Sequence, residues 1–195
     1  LAAPYLDLVL PFIFGKEATA KVKEHLKTFT SIEDFQAGLI YNVLQVILKK
    51  SVDAFSYSGL EKLDPRDAFL FVSNHRDIVL DPALTNLALY EQGFQTAEVA
   101  IGDNLLTEKW IEDIVKLNKS FIVRRNLQGR ELVEASRHLS SYIRYSLLEN
   151  GHSVWIAQRE GRSKDGNDKT QQGLINMLGM SSTGTSLKEH YASLN

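Results

Sequence analysis

Two short apolar runs, residues 68–73 and 153–157, constrain the fold most. Each is too brief for a buried helix, and each is bounded by polar or turn-forming residues. Such runs mark strands buried on both faces, as in a parallel sheet. Residues 96–101 and 120–123 share this character, and residues 52–58 alternate apolar with polar, which predicts a further strand. Between these runs the period changes. Residues 82–90, 106–117 and 130–149 carry apolar side chains at helical spacing. In the longest, Leu132, Val133, Leu139, Ile143, Leu147 and Leu148 are expected to face inward, with Gly151 closing the helix. A short helix carrying Leu174, Ile175, Met177 and Leu178 closes the pattern, and a Ser/Thr/Gly stretch follows. Strand alternating with helix implies an α/β fold: a mostly parallel sheet flanked by helices.

Residues 1–50 read differently, as an N-terminal helical segment. Ser31 can cap a helix, with Asp34 three residues on. Ile32, Phe35, Leu39, Ile40, Val43, Leu44 and Ile47 then recur at helical spacing. The expected organisation is a helical segment over 1–50 and an α/β domain over 51–195. Residues 4–14 are apolar, which suits either a membrane-facing patch or packing against the helix that follows Ser31.

Composition removes several function classes. The chain has no cysteine, which excludes thiolate nucleophiles, acyl-cysteine intermediates and Cys-based zinc sites. With 22 basic and 24 acidic residues the net charge is −2, so no global field favours nucleic acid. No apolar run approaches the roughly 18 residues of a transmembrane helix.

In open parallel sheets, ligands sit beyond the carboxyl ends of the strands. Three segments fall there: 74–81, 124–130 and 158–170. The first holds Asn74, His75, Arg76, Asp77 and Asp81. A histidine oriented by a carboxylate can serve as a general base, and either Asp77 or Asp81 could orient it. The second holds Arg124 and Arg125, which suit bidentate phosphate binding or could pair with Glu131 and Glu134. The third holds Arg159, Glu160, Gly161, Arg162, Ser163, Lys164 and Gly166: cations for an anion, and glycines for close backbone approach. Taken singly, each segment also reads as an ordinary solvated loop. Together they describe a hydroxyl activated by histidine on a substrate whose anionic group is held by arginines.

These residues resemble the PlsC-like glycerolipid acyltransferases, which include lysophosphatidate and glycerol-3-phosphate acyltransferases. The family's first motif, Asn-His with four residues before Asp, is similar to Asn74, His75 and Asp81, although five residues intervene here. Its second, an apolar run ending in Arg, is similar to 121–125. Its third, Glu-Gly-x-Arg-Ser, resembles Glu160, Gly161, Arg162 and Ser163, with one residue missing. The Leu80-Asp81-Pro82 context favours Asp81 as the acid, with Asp77 its rival. A fourth motif, a Val-Pro strand, is expected beyond residue 195, so the domain reads as truncated there.

The resemblance implies acyl transfer from acyl-CoA or acyl carrier protein to the hydroxyl of a glycerol-phosphate or lysophospholipid acceptor. Neither a bound cofactor nor a metal is implied. His75 would be the base and Asp81 its orienting acid. Asn74, Arg76, Arg124, Arg125, Arg159, Glu160, Gly161, Arg162 and Ser163 would bind substrate. Peripheral attachment to the cytoplasmic, inner face of a membrane is expected, since such acceptors reside in membranes. The altered spacings leave room for an amino-acid-derived lipid acceptor. A non-catalytic lipid- or anion-binding module is the alternative of a different class.

Overall fold

The structure is a computed structural model that describes residues 4–165, 169–184 and 186–194. Its helices and strands are, in chain order, α1 (Pro4–Phe14), α2 (Lys16–Leu26), α3 (Ile32–Phe35), α4 (Tyr41–Ser51), β1 (Leu70–Ser73), α5 (Leu80–Glu91), β2 (Glu98–Gly102), α6 (Lys109–Leu117), β3 (Ser120–Val123), α7 (Gly129–Leu148), β4 (Val154–Ala157), α8 (Gln172–Leu178) and α9 (Leu187–Ala192). They form two compact units, Leu1–Ser58 with Thr107–Lys119, and Gly59–Leu106 with Ser120–Asn195.

The first unit is helical. Ser31 and Asp34 form a reciprocal capping box that starts α3. A π-helical turn, Gln36–Ile40, links α3 to α4. Gly38 sits in that turn against the ring of Phe29, where a Cβ would lie 2.3 Å from a ring carbon. Leu10, Leu26, Phe35 and Leu39 form the core, and Leu6, Phe14 and Leu117 pack against it. The apolar α1 therefore buries its Leu6, Leu10 and Phe14 face, spaced four apart, while Phe12 stays 85% exposed. Among the described residues, no helix is long and apolar enough to cross a membrane.

The second unit holds an all-parallel sheet in the order β1-β4-β2-β3. The last strand in sequence thus lies between the first two. Val154 and Ile156 of β4 point to one face and pack with Ile143 and Leu147 of α7 and Met177 and Leu178 of α8. Trp155, between them, points to the other face and packs with Leu89, Phe94 and Val99. This is the two-residue period of a strand buried on both sides. The chain leaves β1 for α5 on the Trp155 face and leaves β4 for α8 on the opposite face. Neighbouring strands whose connections diverge in this way open a crevice at their carboxyl ends.

Several expectations need correction. Residues 52–58 form no strand: alternation alone does not hold a strand that lacks a ladder partner. The 68–73 run becomes β1, but at the sheet edge and only part-buried, because a single strand flanks it. In α7, Leu139, Ile143 and Leu147 face inward, whereas Leu132, Val133 and Leu148 are exposed. Val133 and Leu148 each sit one residue, and so about 100°, off the packed stripe. The Ser/Thr/Gly stretch ends in an unexpected helix, α9, started by a Ser186–Glu189 capping box. It is docked by His190 Nε2 on the Leu178 carbonyl at 2.8 Å and by the Tyr191 hydroxyl on the Ile175 carbonyl at 2.7 Å.

At the amino end of β2, away from the crevice, Glu98 is buried and bound by three side chains. The Tyr142 hydroxyl donates to it at 2.8 Å and Ser146 Oγ at 3.0 Å, and His152 Nδ1 lies at 2.8 Å. Burial, reinforced by the Glu98 hydrogen bond, pushes the Tyr142 phenol up from its usual value of 10.0 to about 12. A raised value favours the protonated form in the fold, so this contribution is intact below pH 10 and is lost as pH climbs towards 12. Denaturant midpoints should therefore fall across that window in the parent chain and fall less steeply in Tyr142→Phe. Equal slopes would show that Tyr142 ionises freely.

Candidate functional site

The end of β1 and the start of α5 build the first part of the site. The alternation that carries Phe69 and Phe71 to the Trp155 face carries His75 there too, and its ring meets Trp155 at 6.0 Å between centroids and 70° between planes. Asp81 lies in the first turn of α5. Its Oδ2 accepts from the backbone N–H groups of Arg76 at 2.6 Å and Asp77 at 2.9 Å, and faces His75 Nδ1 at 3.1 Å. Both side chains are largely buried, 15% and 23% exposed. A carboxylate on Nδ1 places the proton there and leaves Nε2 with its lone pair.

Asp77 points elsewhere. Its Oδ1 accepts from the N–H groups of Val79 at 2.8 Å and Leu80 at 2.7 Å, which caps the turn entering α5. The Leu80 and Val79 bonds, with the charge of Arg162 adding, hold its carboxyl below the usual carboxylate range. This capped turn absorbs the fifth residue between His75 and Asp81. The geometry therefore pairs His75 with Asp81 and assigns Asp77 to the backbone.

The third segment is tied directly to the first. Ser163 N–H donates to the His75 carbonyl at 2.7 Å, and Gly161 makes the bend between them at φ 74°. Gln158, buried just past β4, donates through its amide to Asn74 Oδ1 at 2.6 Å, while Thr170 Oγ1 donates to Gln158 Oε1 at 3.2 Å. Glu160 N–H is held by Gln171 Oε1 at 3.0 Å. Gly166 lies outside the described residues.

In the second segment, Arg125 N–H is within 3.3 Å of both Asp103 oxygens, and its guanidinium lies 3.8 Å from Glu160 Oε1. Glu134, offered by the sequence as an arginine partner, is engaged by Arg130 at 2.8 Å. Gly102, at the end of β2, gives Arg125 its place: a Cβ there would lie 2.3 Å from Nε. Gly102→Ala should move the flexible guanidinium rather than the backbone. The expected result is an unchanged unfolding midpoint and, for an anionic ligand held by Arg125 through one charged hydrogen bond, a KM raised by about tenfold or more. An unchanged KM would separate Arg125 from substrate.

Between the sheet and α7 and α8 runs a groove of about 1080 Å³. Its walls are apolar, with Phe121, Leu139, Ile156 and Leu174 among them, and Arg124, Arg125, Arg159 and Glu160 stand at the carboxyl ends of the strands. A concave apolar site with a few convergent polar groups suits a lipid-like ligand with an anionic head. His75, Asp81, Asn74, Arg76, Gly161, Arg162 and Ser163 lie outside its lining. The residues singled out in the sequence therefore fall into two clusters: a His-Asp pair with the Ser163 loop, and the arginines and Glu160 that head the groove. Among the described residues, no three His, Cys, Asp or Glu side chains converge as metal ligands.

The family model for acyltransferases matches residues 54–182. The chain belongs to this acyltransferase family. No curated protein matches it. Membership makes the chain an acyltransferase. Trp155, Gln158, Gln171, Asp103 and Gly102 contact or make room for the candidate residues, and sequence reasoning gave none of them a part in the site. Gln158 carried the one available signal, a polar side chain immediately after a strand buried on both faces.

Proposed function

We propose that the acyltransferase moves a fatty acyl group from an acyl-CoA or acyl-carrier-protein thioester to the hydroxyl of a glycerol-phosphate or lysophospholipid. The observation that carries this reading is the His75–Asp81 pair, with Nε2 left as a base in a crevice tied to the Ser163 loop. Nε2 takes the acceptor hydroxyl proton as the oxygen attacks the thioester carbonyl. Asp81 steadies the resulting imidazolium, and its two backbone hydrogen bonds keep it in place. Collapse of the tetrahedral intermediate breaks the C–S bond, and the departing thiolate recovers the proton from His75.

Arg124, Arg125 and Arg159 hold the acceptor phosphate, and the groove beneath them takes a fatty chain. Glu160 orients Arg125 for this. Exposed Phe12 and Val9 of α1 favour peripheral attachment at the cytoplasmic face of a membrane, where the acceptors reside.

The test is a panel of acceptors offered with palmitoyl-CoA and palmitoyl-carrier protein. Ester formation on glycerol-3-phosphate or lysophosphatidate, lost in Arg124→Ala/Arg125→Ala, is the expected result. Turnover confined to acceptors without phosphate, such as an N-acylated amino acid, would refute the phosphate reading. Thioester binding without turnover would favour a non-catalytic module.

A further inference from the structure

Trp155 is the one tryptophan of the sheet, buried to 2% at the centre of β4, and its indole Nε1–H has no hydrogen-bond partner. A buried, unpaired N–H is a cost that a phenylalanine in the same core position would not carry. Packing alone therefore does not explain the residue. Its environment offers a reason. The His75 ring stands nearly perpendicular to the indole at 6.0 Å. In edge-to-face pairs the positive rim of one ring meets the negative face of the other. Among aromatic side chains the indole face has the strongest attraction for a cation at about this distance.

We infer that Trp155 is a positioning residue for His75: it fixes the imidazole ring against Asp81 and stabilises it once it becomes a cation. This rests on the reading of His75 as the base and deepens it. Asp81 holds the ring at Nδ1 and limits rotation from the α5 side. Trp155 limits it from the sheet, and the Ser163 bond fixes the His75 backbone. Charged groups near the ring among the described residues include Asp77, whose carboxylate is turned to the Val79 and Leu80 N–H groups, and Arg162, which acts on Asp77. Trp155 thus supplies an uncharged aromatic neighbour to a ring that alternates between neutral and cationic during each turnover.

Two independent readouts test this. The first does not need catalysis. The chain has two tryptophans, so a Trp110→Phe background leaves Trp155 as the sole indole reporter. A protonated imidazole in contact with an indole quenches its emission. Trp155 emission should fall as the pH is lowered, and this step should vanish in Trp110→Phe/His75→Ala. Emission that ignores pH, or a step that survives loss of His75, overturns the inference.

The second readout is kinetic. Trp155→Phe keeps an aromatic face and should lower kcat about threefold. Trp155→Leu should lower it about tenfold or more, with the donor KM within twofold of the parent. Equal kcat in parent and leucine variant, or a change confined to KM, also overturns it. If Trp155→Leu does not fold, the phenylalanine variant and the emission step still decide. Absence of acyl transfer in the parent would count against the acyltransfer mechanism, and the emission step would then judge the His75–Trp155 contact by itself.

Discussion

Replacing His75 with alanine is expected to lower the rate of acyl transfer by about 10²–10⁴-fold, the range of a positioned general base. The loss should fall on kcat. The groove and its arginines do not include His75 in their lining, so acceptor and donor KM should move little. Folding should survive, since the His75 carbonyl that receives Ser163 belongs to the backbone and remains. The measurement is steady-state turnover with a thioester donor, alongside thermal unfolding of both proteins. A rate within about threefold of the parent would end the general-base mechanism. A fall in rate matched by a fall in unfolding midpoint would instead mark His75 as structural.

Asp81→Asn should come next in size, with kcat lowered by about 10²-fold or more, because the amide no longer compels the proton onto Nδ1 or steadies the imidazolium. Asp77→Ala should leave kcat within about threefold and instead cost about 1 kcal/mol of stability, as the loss of a helix cap does. The pH dependence separates the two further. The Asp77 carboxyl is held below its usual 3.8 by the Leu80 and Val79 N–H groups. A depressed value contributes stability that is present above about pH 4 and lost as pH falls through the lowered value. Acid unfolding should therefore begin at higher pH in Asp77→Ala than in the parent. The reverse ranking, with Asp77→Ala inactive and Asp81→Asn active, would exchange the two roles.

That ranking could not be settled from the sequence. Both acids follow His75 within six residues, and spacing does not reveal where α5 begins. Only the capped turn at 77–80 shows that Asp77 is used by the backbone. The strand ends and their loops, by contrast, were legible, because short apolar runs followed by charge are set by burial and solvent alone. Pairing was not legible. Residues 52–58 alternate as a strand should, yet nothing local encodes the missing partner. Leu132 fits the helical stripe of Leu139 and Ile143, but whether a stripe is covered depends on how far the sheet extends beneath it. Nothing local marks Trp155 as a partner of His75, because the contact joins residues 80 positions apart.

The strand order also bears on how the protein reaches its native state. β1 pairs with β4, so the edge that carries His75 stays without a partner until residues 154–157 arrive. Bonds such as Gln158 to Asn74 close a loop of 84 residues. Loops of that length form late and slow the search, because chain entropy is lost before the contacts that reward it exist. The strand pair β2 and β3 can associate early, but the crevice between β1 and β4 is assembled later. During synthesis, protease resistance at β1 should appear only after the chain has emerged past Ser163, and acyl transfer only once α8, which lines the groove, has followed.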